Sequence, residues 1–267
     1  KFTTYNPYQT LIHFLKKLDK IRNEQRFVIA IDEFELLEKL IEDAIVDQEL
    51  IRFWRGLIQT YPWFIMIFAG LHTLNEMRQN YWSPFFSSVT AIPISFLSLK
   101  AAQRLITQPS PDFELEYTPK VVQQICNLTN GQPYLIQLIG RALVTRYNRQ
   151  VFEEGYKREK YFNLEDLESV VNSPEFYRDG DAYFSGVWRQ AATSQPIGQL
   201  DVLHKLCVSE LSQVQLSKAI NFSIEETYAV LKTLRKHDVI KKENDNNTYT
   251  VELMIRWVQR SQLNFYV

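Results

Sequence analysis

Only two cysteines, Cys126 and Cys207, occur in 267 residues, and they lie far apart with no CxxC spacing. The four histidines, His13, His72, His204 and His237, show no metal-ligand spacing either. Together these argue against structural zinc and for a reducing, cytoplasmic setting. Charge of one sign is also missing: 30 basic residues face 31 acidic ones, for a formal net charge of -1. No global field therefore draws the chain to nucleic acid or anionic lipid, and any such partner must use a local patch. The longest apolar runs, such as residues 63–71, fall well short of the roughly 18 residues a membrane span needs, and nothing at the start resembles a signal peptide. A membrane-spanning role is not expected.

What is present is a large supply of core material. With 45% hydrophobic and 13% aromatic residues, the chain can bury a substantial core and is expected to form two or three domains. It opens on Lys1, and residues 8–21 already read as an amphipathic helix with Leu11, Ile12, Phe14, Leu15, Leu18 and Ile21 on one face. The opening looks like a piece cut from something longer. Phe27–Ile31, "FVIAI", then reads as a buried strand, residues 33–59 as helix broken near Asp47, and "WFIMIFA" as a second buried strand ending at Gly70. Short apolar strands alternating with helices predict a parallel sheet covered on both faces. In such sheets ligands bind beyond the carboxyl ends of the strands.

At the first of those ends stand two adjacent carboxylates, Asp32 and Glu33. A carboxylate at the tip of a buried strand is expected to be partly desolvated, which is expensive without a compensating cation. Mg²⁺ on a nucleotide would compensate it, and the next carboxylate can orient or deprotonate an attacking water. A structural alternative is that Asp32 caps the following helix while Glu33 favours its dipole. The stretch "FVIAIDE" resembles the Walker B strand of P-loop ATPases of the AAA+ and STAND type. On that resemblance Asp32 is the magnesium-side acid, and Asp32 and Glu33 form the catalytic pair. ATP or ADP with Mg²⁺ is the implied cofactor.

Downstream, "NLTNGQPYLIQLIGRALV" places Gly131 after a helical pattern at residues 119–128 and Pro133 at the first turn of the next helix. Helix stopping and helix starting explain both residues by themselves. Gly131-Gln132-Pro133 also resembles the GxP motif of STAND ATPases, which implies that Pro133 packs against bound nucleotide. With "FLSLKAAQRLI" and "EYTPKVVQQI" before it, the order of elements resembles the helical lid of that group.

From Pro196 onward, three helical patterns precede "VIKKENDNNTYTVEL", two strand-like runs around an Asn/Asp-rich turn, and a last helix begins near Met254. Three helices and a hairpin predict a winged helix. Its second-to-last helix opens with Glu225 and Glu226 where phosphates would approach, and residues 196–267 hold nine basic and eight acidic residues. Phosphate binding needs a basic surplus this segment lacks. Lys241, Lys242, Arg235 and Lys236 leave a small patch, so DNA is the weaker partner. In STAND proteins, a winged helix in this position acts as an intramolecular brace.

One motif is missing. The GxxxxGK[ST] loop cradles phosphates with backbone N–H groups and a lysine, yet no Gly-Lys dipeptide occurs here and only 26 residues precede Phe27. The chain alone is expected to bind nucleotide weakly and hydrolyse little, with the loop supplied by residues upstream. "GLHTL", residues 70–74, falls where sensor 1 would lie, so His72 and Thr73 are nucleotide-contact candidates; "HTLNEM" also reads as a helix start. Arg52, Arg55 and Arg78 are candidate fingers toward a neighbouring subunit or simply solvated. Residues 148–168 read as a solvated loop leading to a helix capped by Asn163 with Asp166 at N3.

The expected fold is α/β: a partial P-loop/AAA+ parallel core at residues 1–95, an all-α helical lid at 96–195 and a winged helix at 196–267. The resemblance implies an ATP/ADP-dependent switch, protein partners or effector domains in a longer chain, and a nucleotide-dependent oligomer. A DNA-binding initiator or transposition-type regulator is the competing expectation.

Overall fold

The computed structural model describes residues 6–34, 36–70 and 89–264. The chain divides into two units, Lys1–Pro93 and Ile94–Val267.

The first unit starts with α1, Pro7–Ile21. Asn6 opens it, its side chain accepting the N–H groups of Tyr8 and Gln9, and Pro7 sits at N1 where it forfeits no bond. Leu15 on its apolar stripe is fully buried, packed with Leu57, Trp63 and Phe64. Two strands follow the sequence expectation, β1 at Phe27–Ile31 and β2 at Phe64–Phe68, paired in parallel with Phe27 opposite Phe64 and Ile31 opposite Phe68. Between them run α2, Leu36–Glu42, and α3, Glu49–Thr60.

Period-2 alternation puts Phe27, Ile29 and Ile31 on one face with Phe64, Met66 and Phe68, and these pack against residues of α1, α2 and α3. The opposite face differs from expectation. Val28 is 50% exposed and Ile67 51% exposed. All the described helices of this unit lie against the same side of the sheet, so the strands are covered on one face only among the described residues.

The second unit is mostly helical. In order come α4 (Leu99–Thr107), β3 (Glu116–Tyr117), α5 (Pro119–Thr129), α6 (Pro133–Asn148), β4 (Tyr161–Phe162), α7 (Leu164–Val171), α8 (Pro174–Asp179) and α9 (Asp181–Thr193). Then follow α10 (Gln199–Leu206), β5 (Leu211–Ser212), α11 (Gln213–Ile220), α12 (Ile224–Lys236), β6 (Ile240–Glu243), β7 (Asn246–Tyr249) and α13 (Glu252–Asn264). The last sheet is antiparallel in the order β5-β7-β6. One hydrophobic core runs from Ala102 to Val258 and takes side chains from both sides of residue 195. Phe184 of α9 stacks on Trp257 of α13 at 6.1 Å, and Trp188 meets the same ring edge-on at 5.9 Å.

The segment read as a solvated loop is partly structured. A π-helical turn, Arg149–Glu153, extends α6, and β4 pairs in parallel with β3. Arg158 is the reason the intervening chain is held. Its guanidinium donates to both carboxylate oxygens of Asp166 at 2.9 and 2.7 Å, to the Gln150 side chain and to the Tyr161 carbonyl, and it lies 5.0 Å over the Tyr147 ring. Asp166 also closes the capping box with Asn163. The bonds from Arg158 to Asp166 and to Gln150 each span eight residues and have no local sequence signal.

Candidate functional site

The carboxylate pair is positioned by the strand ends. The Ala69 N–H donates to the Ile31 carbonyl at 2.9 Å, and the Phe34 N–H donates to the Ala69 carbonyl at 3.1 Å. Phe34 is buried and meets Phe68 edge-on at 5.9 Å, which pins the chain just past β1. Asp32 and Glu33 therefore project beside the carboxyl end of β2. Both are exposed, so the desolvation expected for them is not present. Asp32 Oδ1 accepts the Glu33 N–H at 2.9 Å, and Glu33 has φ +50°, a left-handed conformation that β-carbon residues seldom take. Because α2 begins only at Leu36, Asp32 does not cap that helix. Among the described residues the Asp32 carboxylate bonds its own neighbour and not the first turn of α2.

For a divalent cation the fit is limited but chemically sound. Among the described residues no group of three or more His, Cys, Asp or Glu side chains converges. A nucleotide-borne Mg²⁺ needs only one or two carboxylates, since waters and phosphates supply its other ligands. Asp32 keeps one oxygen free for that purpose and would hold such an ion through it. Of the remaining first-unit candidates, His72, Thr73 and Arg78 lie outside the described residues. Arg52 is paired with Glu49 at 2.6 Å within its own helix, and Arg55 Nε is buried without a hydrogen-bond partner.

In the second unit, α5 stops at Asn130, which adopts φ +48°, and Gly131 continues the left-handed turn at φ +80°. The stop assigned to Gly131 from sequence thus belongs to Asn130. Gly131 has a different duty: its carbonyl accepts the Leu97 N–H at 2.9 Å, and a Cβ at residue 131 would collide with the Leu97 carbonyl oxygen. Gln132 caps α6 by accepting the Leu135 N–H at 2.8 Å, and Pro133 stands at N1, exposed. Beside it Tyr134, 40% exposed, stacks on Tyr183 at 5.8 Å and donates to the Asp179 carbonyl at 3.3 Å. The structure brings Asp32 together with Glu33 in one unit and Gly131 with Pro133 in the other.

At the carboxy-terminal hairpin, the four cations of the expected basic patch are mostly spoken for. Lys241 pairs with Glu243 at 2.5 Å, Lys242 with Asp245 at 3.0 Å, and Arg235 donates to the Leu231 carbonyl at 3.1 Å. Glu226 is engaged as well, closing a capping box with Ser223 that holds its carboxyl below the usual range.

Against solved structures, the chain matches the Walker-type ATPase of Pyrococcus abyssi over 97% of its own length and 69% of that chain, with a TM-score of 0.64 and 11% identity. The fold is that of a P-loop ATPase. The RuvB Holliday junction branch migration motor of Thermotoga maritima matches over 94% of this chain and 74% of that one, at TM-score 0.40 and 14% identity, too loosely to align single residues. No family model matches the sequence and no curated protein is similar to it. In open parallel α/β sheets ligands bind beyond the carboxyl ends of the strands, and Asp32 and Glu33 follow the carboxyl end of β1.

Proposed function

We propose that this chain carries the Walker B side of a STAND-like AAA+ ATPase that works as an ATP/ADP-dependent switch. The supporting observation is the placement of Asp32 and Glu33: adjacent, exposed, and anchored by the Ile31, Phe34 and Ala69 backbone bonds at the carboxyl end of a parallel strand pair. In this reading Asp32 faces the magnesium of the nucleotide and Glu33 orients the attacking water. Gly131 and Pro133 meet the nucleotide from the lid, and His72 and Thr73 stand at the sensor position. Residues 96–195 are the lid. Residues 199–264, with three helices, a β5-β7-β6 sheet and a final helix, have the element order of a winged helix, packed on the lid by one core and acting as its brace. The nucleotide can bias the switch only through a difference in affinity between its states.

The competing reading, a winged helix on DNA, draws less support. The wing lysines are closed on their own acids, and the helix that would enter a groove starts with Glu225 and Glu226. It predicts binding that weakens steeply with salt and vanishes on neutralising Lys241, Lys242 and Arg235.

The deciding measurement is nucleotide affinity and turnover of the gene product as the cell makes it, wild type against Glu33→Gln. Retained binding with lost hydrolysis supports the switch. Equal hydrolysis by both proteins, or no binding by either, overturns it.

A further inference from the structure

The chain enters the second unit through residues 94–98, and this short segment is bonded to two separate turns. Ser95 Oγ donates to Asp238 Oδ2 at 2.6 Å, although the residues are 143 positions apart. Two residues later the Leu97 N–H donates to the Gly131 carbonyl at 2.9 Å, and Ser98 then caps α4 by accepting the Ala101 N–H at 3.3 Å. Ile94 is 92% exposed, whereas Phe96 and Leu97 both pack against the core. Asp238 sits in the turn between α12 and β6, with φ +56° and its N–H on the Arg235 carbonyl at 3.1 Å. That turn is held from below by the Val239 N–H on the Leu234 carbonyl at 3.0 Å.

We propose that residues 94–98 form a latch whose two anchors, Ser95 on Asp238 and Leu97 on Gly131, open and close as one. The argument is mechanical. The segment bends at Phe96 between the two anchors, which are only two residues apart with two soft backbone dihedrals per residue, so releasing one reorients the other. Pro93, the last residue of the first unit, is two residues before Ser95, a span of at most ~7 Å when fully extended. The Ser95–Asp238 bond is charge-assisted yet exposed, which places it at the low-stability end where local opening is feasible. A glycine at 131 is required because the Leu97 carbonyl occupies the place of its Cβ. The consequence for nucleotide at Gly131 and Pro133 rests on the function proposed above; the latch itself does not.

The test is amide hydrogen exchange on the whole chain without nucleotide, comparing wild type with Ser95→Ala and Asp238→Asn. Each variant is expected to speed exchange of the Leu97 amide and of residues 130–132 on the order of tenfold, the scale of one lost hydrogen bond to a charged group. The double variant should add little to either single one, because both remove the same bond. The β6–β7 hairpin amides should stay as protected as in wild type. Faster exchange confined to residues near 95 and 238, with Leu97 and residues 130–132 unchanged, overturns the coupling. Faster exchange throughout the hairpin overturns it too, since the bond would then be general support. Because no nucleotide is present, either failure leaves the ATPase reading to its own test.

Discussion

Replacing Arg158 by methionine removes the lock on the segment after α6, and the structure sets the scale of the loss. The Asp166 side chain is 8% exposed and that of Arg158 18%, so the pair is largely out of water. Two charge-assisted bonds to Asp166 disappear, each contributing about 1.5–3 kcal/mol in mutational series. Methionine keeps most of the apolar stem over Tyr147, so packing is retained while the cation over the ring is lost. Asp166 is left buried, but Arg146 Nε stands 3.7 Å away and can neutralise it in part. The net expectation for Arg158→Met is a loss of about 3 kcal/mol, less than the sum of its bonds because Arg146 substitutes. In a unit of this size that lowers the thermal midpoint by about 6–12 °C. The pair Arg158→Met with Asp166→Leu should recover a good part of the loss, because no carboxylate then remains buried. A single-variant loss under about 1 kcal/mol, or a double variant no more stable than Arg158→Met, would refute the reasoning.

Two further outcomes follow from conformation and burial. Gly131→Ala should destabilise the second unit by at least about 2 kcal/mol in chemical denaturation, from the left-handed backbone and the clash with the Leu97 carbonyl; a loss within about 0.5 kcal/mol contradicts that geometry. Burial pushes the phenols of Tyr117 and Tyr183 up to about 12, the Asp238 charge adding to the second, and raises that of Tyr249 as well. The unfolded phenols ionise near 10, so their stabilisation is complete below pH of about 10 and is lost as pH rises through about 12. Denaturation midpoints should fall steeply across that window, less so in Tyr249→Phe, and a flat profile rules the effect out.

How far the fold could be read from residues depended on whether the signal was local. Phe27–Ile31 and Phe64–Phe68 announce themselves as unbroken apolar runs, and their parallel pairing follows from the helices between them. The capping box at Asn163 and Asp166 is likewise a spacing of three residues. Burial was harder: continuous apolarity suggested two covered faces, but a strand's composition does not say which neighbours arrive, and Val28 and Ile67 face solvent. The carboxylates of the candidate site were legible because an apolar run ends on them. The left-handed backbone of Glu33 was not, since it depends on the Ala69 bonds that arrive from another strand. Nor could the Ser95–Asp238 bond or the collision that demands glycine at 131 be seen, because each joins segments distant in sequence. At Asn130 the competition was between two good left-handed residues in a row, and asparagine took the cap position one residue early.

The uncovered side of the first unit's sheet bears on how the protein behaves in a tube. Val28 and Ile67 put branched hydrocarbon in contact with solvent on a flat, pleated surface, and exposed surfaces of that kind stick to one another as concentration rises. The second unit exposes apolar side chains too, Phe152, Ile197 and Val208 among them, but these lie outside its strands. The strand pair is therefore one contributor to the colloidal stability of the whole chain. A single polar replacement at Val28 or Ile67, away from every residue assigned a chemical role, should raise the concentration at which solutions turn cloudy.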